Sequence, residues 1–202
     1  MSFSLRPSLL RRTRVASLVV FFVGIAGHAS AVTLVYSGDF TPEGGPTASG
    51  SGSATVTIDT VSITMRVQAD FSGLSGTTAA AHVHCCTASP GVGNVGVATE
   101  LPTFTGFPLG VTSGSYDFTY DMTQAANFNP SFITANGGST SAALAALIAG
   151  LGDDRAYLNI HTSTFAGGEI RARLALVPEP GTVLLLGLGL AGLAWRGRRL
   201  ER

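Results

Sequence analysis

Two of the chain's four histidines and both of its cysteines lie within residues 81–86, in the order Ala-His-Val-His-Cys-Cys. In an extended strand, side chains two positions apart project to the same face, so His82 and His84 lie side by side while Val83 faces the other way. Imidazole nitrogens are common ligands of copper and zinc. The spacing therefore predicts a pair of imidazoles able to bind a transition metal from one strand face.

A third imidazole belongs to His161, within the strand-like run of residues 157–162. Three imidazoles suit copper or zinc, with acceptors such as Asn159 or backbone carbonyls fixing the tautomers. The alternative is that His82 and His84 hydrogen-bond to loop backbone and that His161 fixes loop packing, with no metal. Geometry decides between the two, because ligand nitrogens must surround one point at ~2 Å from the metal.

Cys85 and Cys86 are the only cysteines of the chain. They could form a vicinal disulfide, bridge to another molecule, supply one soft metal ligand beside the histidines, or remain thiols. Export favours oxidation, so the vicinal disulfide is preferred and the soft ligand comes second. A thiol nucleophile with His84 as its base would lack a group to orient that base, so we predict no catalytic residue and disfavour an enzyme.

The N-terminal 31 residues have the layout of a secretory signal peptide. Four arginines precede the apolar run of residues 15–27, and Ala29-Ser30-Ala31 follows it. A basic region, a short apolar region and an A-x-A site in this order predict cleavage after Ala31. The apolar run is too short for a transmembrane helix, which needs about 20 apolar residues.

The C-terminal end carries Pro178-Glu179-Pro180, an apolar run over residues 181–195 and a final cluster of arginines. This layout, over residues 177–202, resembles the PEP-CTERM sorting signal of bacterial envelope proteins. The resemblance implies recognition by an exosortase, removal of the tail, and delivery to the cell surface or exopolysaccharide matrix. Until removal, the apolar run would anchor the precursor in the membrane with its basic end in the cytoplasm. The alternative is a permanent C-terminal membrane anchor.

The segment between these two ends is acidic. Residues 32–177 contain ten acidic residues and four arginines, and the chain has no lysine. Nucleic acid is therefore an unfavourable partner, since phosphate binding needs clustered positive charge. The same balance favours cation binding.

Alternating apolar residues predict a hairpin over residues 54–71 and further strands at 33–36, 77–86, 115–122, 156–161 and 170–176, with Glu169, Arg171 and Arg173 facing outward. The sequence predicts loops at residues 37–53 and 127–138 and a short strand at 95–99. One helix is predicted between an N-cap at residues 139–141 and a stop at Gly150 and Gly152. About seven short strands and one helix indicate an antiparallel β-sandwich.

Five sequence blocks resemble the CHRD (chordin-type) domain over residues 33–176. They are Gly-Ser-Gly-Ser-Ala-Thr-Val-Thr at 50–57, Leu-Ser-Gly at 74–76, Ala-His-Val-His at 81–84, Tyr-Leu-Asn-Ile-His-Thr at 157–162 and Gly-Gly-Glu-Ile-Arg at 167–171. The resemblance implies an immunoglobulin-like sandwich similar to copper-zinc superoxide dismutase, without an agreed activity. Those enzymes also present His-Val-His to copper, which His82 and His84 match, with His161 as a third candidate ligand. A zinc-bridging histidine and the zinc's own histidine set are missing.

We therefore expect a signal peptide at residues 1–31, a sandwich domain at 32–176 and a sorting signal at 177–202. The expected function is that of an exported, non-catalytic binding or structural module of the cell envelope or extracellular matrix. The alternative is a copper- or zinc-binding redox domain that uses His82, His84 and His161.

Overall fold

The computed structural model describes residues 33–178 and 187–190. The predicted signal peptide with Ala29 and Ala31, the sorting-motif residues Glu179 and Pro180, and most of the apolar tail lie outside the described residues. They stay predictions from sequence. None of the helices within the described ranges is long and apolar enough to cross a membrane.

The described domain is mainly antiparallel β-structure, as predicted. Its strands are β1 (Thr33–Pro42), β2 (Ser51–Asp59), β3 (Thr64–Ser72), β4 (Thr78–Cys85), β5 (Gly114–Asp121), β6 (Ala156–Thr162), β7 (Ile170–Arg173) and β8 (Ala175–Leu176). They form one curled sheet in the order β4-β6-β7-β1-β2-β3-β5, and β8 pairs with β1. This architecture fits the predicted β-sandwich.

The predicted hairpin is formed by β2 and β3, with Val56 opposite Val67 and Ile58 opposite Met65. All four side chains are completely buried. The alternation of the sequence decided this register, because a slip of one residue would turn the apolar set to solvent.

The first strand is longer than its sequence predicts. Apolar alternation ends near Tyr36, yet β1 continues to Pro42, where Phe40 pairs with Ala172 of β7. The predicted loop at residues 37–53 therefore holds the end of β1 and the start of β2. Pairing with partners on both sides stabilises this polar, glycine-containing segment, which local propensity alone does not favour.

The predicted helix is α2 (Thr140–Gly152), and the Ser139 side chain accepts a hydrogen bond from the Ala142 N–H at its N-terminus. A shorter helix, α1 (Pro130–Ala135), lies in the segment read as loop, after a single 3-10 turn at Ala125–Asn127. Its six residues are too few to show helical periodicity, and the cap by Asn129 is its main local signal. Residues 95–99 make isolated bridges to β4 and to Phe128 rather than a strand.

One orientation in the last hairpin was predicted wrongly. Arg171 and Arg173 are partly exposed, but Glu169 is completely buried. Its carboxylate accepts hydrogen bonds from Ser75, Gly76 and Thr162, which remove the need for contact with water.

The part of the sheet formed by β4, β6 and β7 is covered on both faces. Ala81, Val83 and Cys85 of β4 face the hydrophobic core, together with Leu158 and Ile160 of β6. The alternate residues of β4 and β6 face the other way, under the loops that follow β4 and β6. This second, polar face carries all three histidines of the described domain.

Candidate metal centre

The three histidines meet on neighbouring strands. His82 and His84 of β4 lie opposite Asn159 and Tyr157 of β6, and His161 follows Asn159 by two positions on the same face. The centroid of the His161 ring lies 5.2 Å from that of His82 and 5.5 Å from that of His84. The antiparallel register therefore brings together imidazoles that are 77 residues apart in the chain.

His84 is held by the loop after β4. Its Nδ1 lies 2.8 Å from the carbonyl oxygen of Val95. Because a carbonyl only accepts, Nδ1 carries the proton and Nε2 is a bare acceptor. The ring stacks on Tyr157 at 4.9 Å between centroids, and the Tyr157 hydroxyl also donates to the Val95 carbonyl. Burial lowers the pKa of His84 to about 4, so the ring is neutral near pH 7.

His161 is held in the same way by the turn after β6. Its Nδ1 donates to the carbonyl of Ala166 at 2.9 Å. Its Nε2 is therefore also a bare acceptor, and it lies 3.3 Å from Nε2 of His84. His161 is the more accessible member of the cluster, since His82 and His84 are buried.

His82 donates from Nε2, whereas His84 and His161 donate from Nδ1. The Nε2 atom of His82 donates to the carbonyl of Pro102 at 2.6 Å, so Nδ1 carries the lone pair. Nδ1 is buried and has no hydrogen-bond partner within the described residues. Burial lowers the pKa of His82, which keeps this ring neutral as well.

The three rings thus share one arrangement. In each, one nitrogen donates to a loop carbonyl and the other is a bare acceptor. One candidate ligand atom from each of the three residues lies within 4.8 Å of the others. A tetrahedral or trigonal metal with nitrogens at about 2.0–2.1 Å spaces them by about 3.3–3.5 Å. The 3.3 Å between His84 and His161 matches this spacing.

The sequence comparisons agree with this fold. The model of the CHRD domain matches residues 32–174, which is most of the chain. The chain belongs to the CHRD domain family. A second model, that of the PEP-CTERM protein-sorting motif, matches residues 176–199. No curated protein and no solved structure matches the chain.

The sorting motif places this CHRD protein outside the cytoplasm. The protein is exported to the cell envelope or surface through a membrane-anchored precursor, and it is processed by an exosortase-type sorting system. The tail resemblance over Pro178-Glu179-Pro180 and the residues that follow is thereby confirmed as a family match.

The two cysteines of the CHRD domain lie on the opposite side of β4 from the imidazoles. Their sulfur atoms are joined in a vicinal disulfide. Cys85 belongs to the hydrophobic core, and Cys86 Sγ lies 3.6 Å from the carbonyl of Ala146 in α2. A Cβ atom added at Gly150 would collide with both sulfurs. The cysteines therefore pack against α2, and the candidate metal ligands are the histidines alone.

Sequence reasoning expected backbone carbonyls to fix the imidazoles but did not say which ones. The carbonyls of Val95, Pro102 and Ala166 come from three different turns, and no side-chain pattern marks them. It also missed the ion pair between Arg171 and Glu43 beside the cluster. The guanidinium of Arg171 lies 3.7 Å over the Tyr157 ring, so Arg171, Tyr157 and His84 form one stack.

Proposed function

We propose that this CHRD protein is a non-catalytic, exported module that binds a divalent transition metal, copper or zinc, through His82, His84 and His161. Sorting would place the metal-binding domain at the cell surface or in the exopolysaccharide matrix. The proposal combines the export that the sorting motif indicates with the donor set found on the polar face of β4 and β6.

One observation carries the proposal: Nε2 of His84 and Nε2 of His161 lie 3.3 Å apart, although each ring already donates from Nδ1 to a backbone carbonyl. Metal-binding histidines characteristically donate their second N–H to a carbonyl, carboxylate or water, which fixes the tautomer and the ring plane. Hydrogen bonds to loop backbone alone would also fit a cluster without a metal, but they do not account for two acceptor nitrogens that face each other. Here the facing nitrogens of His84 and His161 are both acceptors, so a cation between them is favourable.

The ligand type supports copper or zinc. Neutral imidazole suits both metals, whereas magnesium and calcium prefer oxygen ligands. The acidic balance of residues 32–177 further favours a cation near the domain. The half-buried position of His161 leaves a side of the cluster through which a metal can enter.

The geometry around the cysteines supports binding rather than thiol chemistry. The Cys85 and Cys86 sulfurs are bonded to each other and pack against α2, away from the His84 ring. A nucleophilic thiol must lie within hydrogen-bond reach of its base. The non-catalytic role therefore fits the arrangement better than a cysteine enzyme does.

The test is metal analysis of the secreted protein purified without an affinity tag. We expect about one equivalent of zinc or copper in the wild type and little in His84→Ala. His161→Ala provides a second variant at a more accessible position, should His84→Ala fold poorly. Asn94→Ala is the matched control, because Asn94 lies next to the Val95 loop carbonyl but its side chain bonds Arg171 rather than a histidine. Equal metal content in wild type and His161→Ala would refute the proposal.

A further inference from the structure

Asn159 lies within the same polar face and has a fixed orientation. It is 1% exposed and lies directly opposite His82 in the register of β4 and β6. Its Nδ2 donates to Oε1 of Glu43, whose other oxygen pairs with Arg171. Because an ionised carboxylate only accepts hydrogen bonds, the amide nitrogen must face Glu43, and Oδ1 is the remaining acceptor.

The Oδ1 atom of Asn159 has no hydrogen-bond donor among the described residues, and the same holds for Nδ1 of His82. Side chains directly opposite in an antiparallel pair have Cβ atoms about 4.5–5.5 Å apart. Two buried acceptors without donors therefore lie on neighbouring side chains. A buried acceptor without a partner is unfavourable, so such a pair favours the binding of an electropositive group there.

We infer that Asn159 Oδ1 is the fourth protein donor of the histidine centre, which becomes a site of three nitrogens and one oxygen. This inference rests on the proposed metal-binding function. A bound metal ion would satisfy both orphaned acceptors and the facing nitrogens of His84 and His161 together. The oxygen donor makes Asn159 a determinant of metal choice, because divalent zinc and copper accept nitrogen and oxygen ligands while monovalent copper favours sulfur.

The surroundings keep the amide in this place. A Cβ atom at Gly168 would collide with both amide atoms of Asn159 and with Glu43 Oε1, and Gly168 has φ of +121°. Glycine at this position leaves room for the amide and tolerates the left-handed backbone. Glu43 is thus a positioning residue that orients Asn159 without touching the metal.

The inference is tested by titrating the secreted protein, freed of metal, with zinc and with cobalt as a spectroscopic probe. We expect Asn159→Ala to weaken the binding of both ions by more than the about 10- to 100-fold that loss of an outer partner costs, and to alter the visible cobalt spectrum. Asn159→Asp retains an oxygen at this position but loses the N–H that faces Glu43, so it should recover only part of the affinity. Monovalent copper should bind wild type and Asn159→Ala alike, and Asn94→Ala should behave as wild type throughout.

A measurement on the wild type does not depend on the folding of Asn159→Ala. The side-chain amide signals of Asn159, assigned by their absence in Asn159→Asp, should shift in nuclear magnetic resonance spectra when zinc is added. Unshifted signals, or an unchanged cobalt spectrum in Asn159→Ala, would overturn the role of Asn159 while the three-histidine site stands. A wild type that binds no metal would instead overturn the proposed function itself.

Discussion

The Nε2 atoms of His84 and His161 lie 3.3 Å apart, and each ring donates from its Nδ1 to a loop carbonyl. Two acceptor nitrogens at this distance repel each other unless a proton or a metal ion lies between them. The carbonyls of Val95 and Ala166 therefore do more than hold the rings in place. They set both rings in the tautomer that a metal requires.

A double-mutant cycle should show that these two histidines act as one unit. We expect His84→Ala and His161→Ala each to lower zinc affinity by more than the roughly 10- to 100-fold that loss of an outer partner costs. The double variant should lose little more, because each single variant already removes the shared site. Zinc titration of the metal-free wild type, of each single variant and of the double variant measures the four affinities of the cycle. If the losses in zinc-binding free energy of the two single variants simply add in the double variant, the two rings bind independently.

Glu169 should make the domain sensitive to acid. Burial by itself raises its pKa, but hydrogen bonds from Ser75, Thr162 and Gly76 lower it from 4.5 to about 2. Since the folded pKa lies below the unfolded one, the stabilisation is present above pH about 4.5 and is lost as the pH falls towards 2. The shift corresponds to about 3 kcal/mol of unfolding free energy at neutral pH.

Urea unfolding of metal-free wild type and Glu169→Gln across this pH range measures the effect. The wild type should be the more stable protein at pH 7, and the difference should shrink in acid. Parallel pH curves for the two proteins would show that Glu169 is not the group responsible.

The close approach of α2 to the disulfide predicts that glycine-to-alanine substitutions at two positions of this helix affect stability differently. Gly150→Ala adds a Cβ atom that meets both sulfurs of Cys85 and Cys86, and it should destabilise the oxidised domain by about 1–3 kcal/mol. At Gly152 a Cβ atom meets nothing within 4 Å, so Gly152→Ala should be neutral or slightly stabilising.

Thermal or urea unfolding without reductant compares these two variants, and thiol labelling in denaturant checks the bond itself. Equal stability of the two variants would contradict the packing of α2 on the sulfurs. Labelling of cysteines before any reductant is added would contradict the disulfide.

The sorting motif predicts the mass of the mature protein. Changing Glu179 to Gln in Pro178-Glu179-Pro180 should block processing and leave a membrane-associated precursor that retains its C-terminal arginines. Intact mass of the wild-type and variant proteins, with cell fractionation, measures this. Replacing Val61, an exposed residue of the CHRD domain outside the matched motif, with Ala is the control. A wild-type species that keeps residues 183–202 would contradict tail removal.

Strand alternation made much of the fold predictable. The hairpin of β2 and β3 carries its apolar residues at every second position, so burial of one face permits a single register. The α2 helix was likewise marked by its serine cap and its glycine stop. The end of β1 and the helix α1 lacked such signals, since tertiary pairing and a single cap maintain them.

The sequence by itself predicted the signal peptide and determined the sorting motif, the sheet and the placement of His82 and His84 on one strand face, because these depend on local order and on the period of two. Only the tertiary structure decided that His161 joins them and that the backbone carbonyls of three turns choose the tautomers. It alone buried Glu169 and left Asn159 Oδ1 without a donor. These features depend on contacts between residues distant in the chain and on backbone atoms that every residue shares, so no pattern of side chains encodes them.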